Sequence, residues 1–92
     1  MLRVIAYDIA CPLRLRRVAE ACLDYGVRVE RSVFECWLDE ERFEQLWLRL
    51  QHEIEPEQDL VLAYTLDATA ARKRRTAGIK AVLTEKRSHY VL

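Results

Sequence analysis

Leu2 to Ala6 is a short run rich in apolar, branched residues that ends at Tyr7-Asp8, the pattern of a buried strand. Pro12 suits the first turn of a helix, where its missing N–H costs nothing. Leu15, Val18, Ala19, Cys22 and Tyr25 then recur at helical spacing, with Arg14, Arg17, Ala21 and Asp24 on the other side. Gly26 follows as a C-terminal cap would. The spacing predicts a first helix from about Pro12 to Tyr25.

From Val27 to Leu38 the chain reads as strand, but its phase breaks. Val27 and Val29 share one face, whereas Phe34, Cys36 and Leu38 form a set offset by an odd number of residues. A strict period of two cannot place both sets in one core, so a turn or bulge is expected around Glu30, Arg31 and Ser32. Asp39 reads as the cap of a second helix, with Glu40 and Glu41 in a first turn that favours negative charge. Phe43, Leu46, Trp47, Leu50 and Ile54 make its apolar stripe, and Pro56 stops it. Leu60 to Leu66 is apolar on both sides, which predicts a strand central in its sheet.

The order β-α-β-β-α-β predicts an α+β, ferredoxin-like fold: an antiparallel sheet with two helices stacked on one face. Asp67 to Ala77 is polar and basic and reads as a loop or short helix. Ile79, Ala81 and Leu83 alternate, as do the residues from His89 to Leu92. These extra strands are best explained as pairing with an exposed sheet edge, the chain's own or a partner's. The expected organisation is one domain over residues 1–92, with a core at 1–66 and a basic C-terminal extension at 67–92.

Composition supports a folded domain. Half of the 92 residues are apolar (51%) and a third are charged (33%), the balance of a globular chain and not a disordered one. At this length only about 60–65% of the unfolded surface is buried on folding, so the core is thin and dimerisation a natural supplement. No run approaches the roughly 18 apolar residues of a membrane span. The N-terminal residues lack the basic and apolar regions of a signal peptide. A cytoplasmic protein with no membrane contact is expected, and its three cysteines, Cys11, Cys22 and Cys36, read as reduced thiols, two of them in the core.

The net charge of zero conceals a split: residues 1–38 carry +1, residues 39–59 carry −6 and residues 67–92 carry +5. Such asymmetry fits either a polyanion bound on one face or solvated charge with no partner. Arg14, Arg16 and Arg17 cluster early in the first helix, and Arg28 and Arg31 flank the kinked strand. Each could grip phosphate in a bidentate fork, or pair with Glu20 and Asp24. The run Arg72-Lys73-Arg74-Arg75 repels itself unless something neutralises it. Asp8, at the end of the first strand, could hold a divalent cation through oxygen, cap the following loop, or pair with an arginine. Two copies of Asp8 related by a dimer axis would make a better Mg²⁺ site than one. There is no Ser-His-Asp set, no Gly-rich phosphate loop and no zinc pattern.

Taken in order, Val4-Ile5-Ala6-Tyr7-Asp8-Ile9, Arg17-Val18-Ala19, Tyr25-Gly26-Val27-Arg28-Val29 and Ser32-Val33-Phe34-Glu35-Cys36 closely resemble the Cas-two family of CRISPR-associated proteins, which act in spacer acquisition with the Cas-one integrase. The resemblance extends to about residue 66. It implies a ferredoxin-like homodimer whose C-terminal strand pairs with the dimer sheet, and a divalent metal, Mg²⁺ or Mn²⁺, bound between Asp8 and its symmetry mate. The family's nuclease-linked residues fall on Tyr7, Asp8, Arg17, Arg28 and Phe34, while Leu15 and Glu30 stand where the family often has Arg and Gln. The implied function is nucleic-acid binding in CRISPR adaptation. Tyr7 and Asp8 would act in metal-dependent endonuclease chemistry, and Arg14, Arg16, Arg17, Arg28, Arg31 and Phe34 would contact double-stranded DNA or single-stranded RNA. The alternative is a purely structural DNA-binding adaptor that bridges integrase dimers.

Overall fold

The alternation along Leu2–Asp8 divides that strand cleanly between two sheet faces. Arg3, Ile5 and Tyr7 turn towards the helices, and Leu2, Val4, Ala6 and Asp8 turn away. In the computed structural model, which describes residues 1–78 and residue 84, the elements are β1 (Leu2–Asp8), α1 (Pro12–Leu23), β2 (Val27–Glu30), β3 (Val33–Trp37), α2 (Glu40–Glu53), β4 (Leu60–Leu66) and α3 (Ala68–Arg72). The sheet runs β2-β3-β1-β4 and each neighbouring pair is antiparallel. This is the β-α-β-β-α-β arrangement expected from the sequence. No helix among the described residues is long and apolar enough to cross a membrane.

Val18, Ala21 and Cys22 of α1 and Leu46 and Leu50 of α2 close over Ile5, Tyr7, Phe34 and Cys36 to form the core. The Asp39 side chain accepts from the Arg42 amide at 2.8 Å and caps α2 as predicted. α1 ends at Leu23, two residues short of the expected Tyr25, because the Tyr25 and Gly26 amides both turn back to the Cys22 carbonyl. The phase break is a real irregularity: the register shifts between Arg28 and Glu30, and a turn at Arg31-Ser32 separates β2 from β3.

Two expectations are corrected. The buried face of α1 is rotated from the predicted one: Ala21, read on the polar side, is fully buried, and Leu15, read in the apolar stripe, is 42% exposed. β4 is not central but lies at the end of the described sheet. Its second apolar set reflects a strand whose outward face is only partly covered: Leu60 and Tyr64 are 55% and 64% exposed. The segment Asp67–Ala77 resolves into α3, capped by Asp67 through the Ala70 amide at 2.8 Å, followed by coil to Gly78. The strands expected from Ile79 to Leu83 and from His89 to Leu92 lie outside the described residues.

Arg74 and Thr84 lie on the sheet face opposite the helices. The buried Glu35 carboxylate there accepts from Arg74 at 2.7 Å and from the Thr84 hydroxyl at 2.7 Å, while Trp37 Nε1 donates to Thr84 at 3.1 Å. One cation of the basic run is thereby neutralised, by an acid 39 positions earlier.

Gly26 joins α1 to β2 where the backbone passes directly under β3. A Cβ there would lie 2.5 Å from the Glu35 carbonyl oxygen and 2.9 Å from Cys36 Cα, and closer still to Cys36 Sγ. Cys22 and Cys36 are buried free thiols, and burial pushes each up to about 12. Cys11 is half-buried at the start of α1, and the amides of Arg14 and Leu13 lower its pKa. Because the thiolate is the nucleophile, a thiol reagent at pH 8 should modify one cysteine per folded chain quickly. The other two should react only after denaturant is added. Mass spectrometry showing early modification at Cys22 or Cys36 would contradict this packing.

Candidate active site

At the end of β1 the strand period sends Tyr7 inward and Asp8 outward. The Tyr7 ring stacks on Phe34, with centroids 6.2 Å apart and planes 26° from parallel, and the Arg28 guanidinium lies 5.1 Å from the centre of the Phe34 ring. The Tyr7 amide donates to the Ser32 carbonyl at 3.1 Å and its hydroxyl to the Arg31 carbonyl at 3.4 Å. The β2–β3 turn is therefore tethered to Tyr7 by backbone and side chain together. Burial raises the Tyr7 hydroxyl above its ordinary pKa, against a smaller lowering by Arg28. Tyr7 keeps its proton near neutrality and can donate a hydrogen bond, but it is not a phenolate base.

Between α1 and this turn lies an open cleft of about 620 Å³. Its wall is largely apolar, built from Ile9, Pro12, Leu15, Ala19 and Leu23, with Leu15 and Leu23 well exposed. Asp8, Arg16, Glu20, Arg28, Arg31 and Ser32 supply its polar groups. The Asp8 side chain is exposed and makes no hydrogen bond or ion pair among the described residues. It does not cap α1, whose N-cap is Cys11. Of the three roles open to Asp8 in the sequence, capping and arginine pairing are both unfilled.

The other candidates separate into two groups. Arg16, Arg28 and Arg31 reach the cleft with Tyr7 and Asp8. Arg17 is exposed but outside the cleft lining, Arg14 is bound to the buried carboxylate of Asp59 at 2.7 Å, and Phe34 is 0% exposed. With its ring covered, Phe34 supports Tyr7 and Arg28 from beneath and does not offer a stacking face to a base.

Sequence reasoning assigned no role to Asp59 and Glu35, the two buried carboxylates among the described residues, although Glu35 stands within the Ser32-Val33-Phe34-Glu35-Cys36 motif. Their signal was positional: an acid directly before an apolar strand, and an acid alternating with Phe34 and Cys36. Asp59 is held well below the usual carboxylate range, first by the Arg14 side chain, then by the Glu55 and Ala10 amides.

A divalent cation finds the right chemistry here but too few donors. Carboxylate oxygen suits Mg²⁺ or Mn²⁺, yet the described residues contain no group of three or more His, Cys, Asp or Glu that could hold a metal. One chain offers Asp8 alone at the strand end, so a second copy would have to complete the set.

Comparison with known proteins identifies the lineage. The chain is 41% identical over 85 residues to the CRISPR-associated endoribonuclease Cas2 of Nitratidesulfovibrio vulgaris, covering 87% of this chain and 83% of the relative. It is 39% identical over 85 residues to the CRISPR-associated endonuclease Cas2 of Halalkalibacterium halodurans, covering 87% and 88%. The crystal structure of Streptococcus pyogenes Cas2 superposes with a TM-score of 0.76 at 36% identity, covering 85% of this chain and 100% of that one. Residues 1–74 match the family described as CRISPR associated protein Cas2, and with these relatives that match establishes that the chain belongs to the Cas2 family.

Proposed function

We propose that this chain acts as a cytoplasmic homodimer that binds nucleic acid in CRISPR spacer acquisition, together with the Cas-one integrase, and hydrolyses phosphodiester bonds with the help of a divalent metal. The observation that carries the reading is the unpartnered Asp8 carboxylate set in a cleft beside Arg16, Arg28 and Arg31. The names of the relatives, endoribonuclease and endonuclease, support the same chemistry.

In this reading Arg16, Arg28 and Arg31 grip backbone phosphates, with Arg17 adding affinity from the adjacent surface. The Tyr7 hydroxyl donates to the substrate or to the turn that carries Arg31. Asp8 of each protomer would hold Mg²⁺ or Mn²⁺, which supplies charge neutralisation at the phosphate and orientation of the attacking water. β4, at the end of the described sheet with Leu60 and Tyr64 exposed on its outward face, is the edge the C-terminal extension of a partner would cover, the extension at residues 67–92 serving the dimer and 1–66 the core.

The purified protein should sediment at twice its chain mass and cut single-stranded RNA or double-stranded DNA with Mg²⁺ or Mn²⁺ but not with EDTA. A monomer at tens of micromolar, or EDTA-insensitive cleavage, removes the proposal.

A second reading draws on a different observation: among the described residues lining the cleft there is no histidine, and the carboxylate besides Asp8 is Glu20, on the third turn of α1. The chain would then be a non-catalytic adaptor that bridges integrase dimers and lays duplex DNA across its arginines. Co-purification with the integrase and spacer insertion without detectable cleavage would favour it.

A further inference from the structure

The Asp59 side chain is fully buried, and both of its oxygens are saturated. Oδ1 accepts from the Ala10 amide at 2.9 Å and from Arg14 Nη2 at 3.2 Å; Oδ2 accepts from Arg14 Nε at 2.7 Å and from the Glu55 amide at 2.8 Å. Arg14 Nη2 also donates to Gln58 Oε1 at 3.3 Å. A single carboxylate thus fastens the β1–α1 connection, the α2–β4 connection and the first turn of α1 to one point.

That point stands beside Asp8. The next residue, Leu60, is the ladder partner of Asp8 across β1 and β4. Ala10 is only two residues beyond Asp8. Asp8 is therefore bracketed by a ladder rung at its own position and by an amide fixed to Asp59 just after it. Arg14 meanwhile offers two of its donors to Asp59, in the forked geometry that carboxylates favour.

We propose that Asp59 and Arg14 form a positioning clamp that sets where Asp8 stands in the cleft, and that Arg14 is thereby withdrawn from the phosphate-binding arginines. The proposal rests on the reading of Asp8 as the metal-holding residue. A ligand that must meet its counterpart across a two-fold axis tolerates little displacement, roughly 0.5 Å in well-organised sites. The clamp adds hydrogen-bonded definition to a three-residue connection that is also held by the packing of Ile9 against the core.

The test compares Arg14→Ala, Arg14→Lys, Asp59→Asn and Arg16→Ala in the full-length protein. Three quantities are read: the salt dependence of binding to a labelled DNA duplex, Mn²⁺ affinity by titration calorimetry, and kcat and KM for cleavage. Arg14→Ala and Asp59→Asn should leave the salt slope and KM at wild-type values. They should lower Mn²⁺ affinity and kcat by about 10–100-fold, the usual cost of losing a partner that orients a metal ligand. Arg14→Lys should recover part of that loss. Arg16→Ala should lower the salt slope by roughly 0.9, the value of one phosphate contact.

If Arg14→Ala lowers the slope as Arg16→Ala does, Arg14 binds phosphate and the clamp is overturned. Unchanged Mn²⁺ affinity and kcat in both clamp variants overturn it equally. If the wild type neither binds Mn²⁺ nor cleaves, the metal reading of Asp8 falls by itself. The clamp is then judged by NMR, where Asp8 and Ala10 amide resonances that do not move in Arg14→Ala would overturn it too.

Discussion

Asp8→Ala should abolish cleavage while leaving a folded protein that binds nucleic acid as well as the wild type or better. The Asp8 carboxylate is exposed and bonds to nothing among the described residues, so its removal should change stability by no more than about 0.5 kcal/mol. It stands among Arg16, Arg28 and Arg31, and its loss leaves that cleft more positive towards phosphate. Activity should nevertheless fall by at least about a hundredfold, beyond the range typical of groups that only support a metal ligand. Asp8→Asn should behave similarly, since it keeps an oxygen but loses the charge that a hard cation needs. Circular dichroism, a binding titration and a cleavage assay on one preparation separate the three effects. Cleavage that persists in folded Asp8→Ala would assign the activity to a contaminating nuclease and leave the adaptor reading standing.

Phe34→Ala should have the largest effect on stability. The ring is fully buried at the centre of the core, against Tyr7 and beneath Arg28. Truncating a buried Phe to Ala costs about 3–5 kcal/mol. In a domain of this size that lowers Tm on the order of 15–35 °C. Phe34→Leu keeps most of the apolar volume and should be far milder. Were Phe34 instead an exposed surface that stacks on bases, the alanine variant would melt near the wild type and lose affinity for nucleic acid. Differential scanning calorimetry with a binding assay distinguishes the two outcomes. In the buried case any loss of cleavage follows the folded fraction, with an added loss because Tyr7 and Arg28 both rest on that ring.

The elements were legible because their signals are local. Period-two and period-3.6 spacing, the Asp39 cap and the Pro56 stop are all written within a few residues of what they specify. The broken phase before Phe34 even disclosed the β2–β3 irregularity without showing its form. Sheet order was less accessible. An apolar strand such as Leu60–Leu66 reads alike whether its second face meets another strand, a partner or partial exposure, and β4 proved to lie at the edge. The residue types that line the candidate cleft could be read from the sequence, but their geometry could not. Composition could name arginines but could not tell Arg16, which lines the cleft, from Arg14, two residues earlier and bound to Asp59. That distinction depends on an acid 45 positions away. Likewise, nothing near Arg74 in the chain announces that Glu35 neutralises it.

The close passage at Gly26 also bears on how such a cleft could diversify. Because only a hydrogen fits between that Cα and β3, the distance from the end of α1 to the sheet is fixed by backbone contact and not by side-chain choice. In the proposed function, changes in substrate preference cannot then arise by easing the helix outward without loosening the core around Cys36. They are confined to side chains on the rim, and Leu15 and Leu23, exposed and free of core duties, are the positions where variation costs least. A library restricted to those two residues should retain folded protein in most members, whereas one that includes Gly26 should lose folding in nearly every variant at that position.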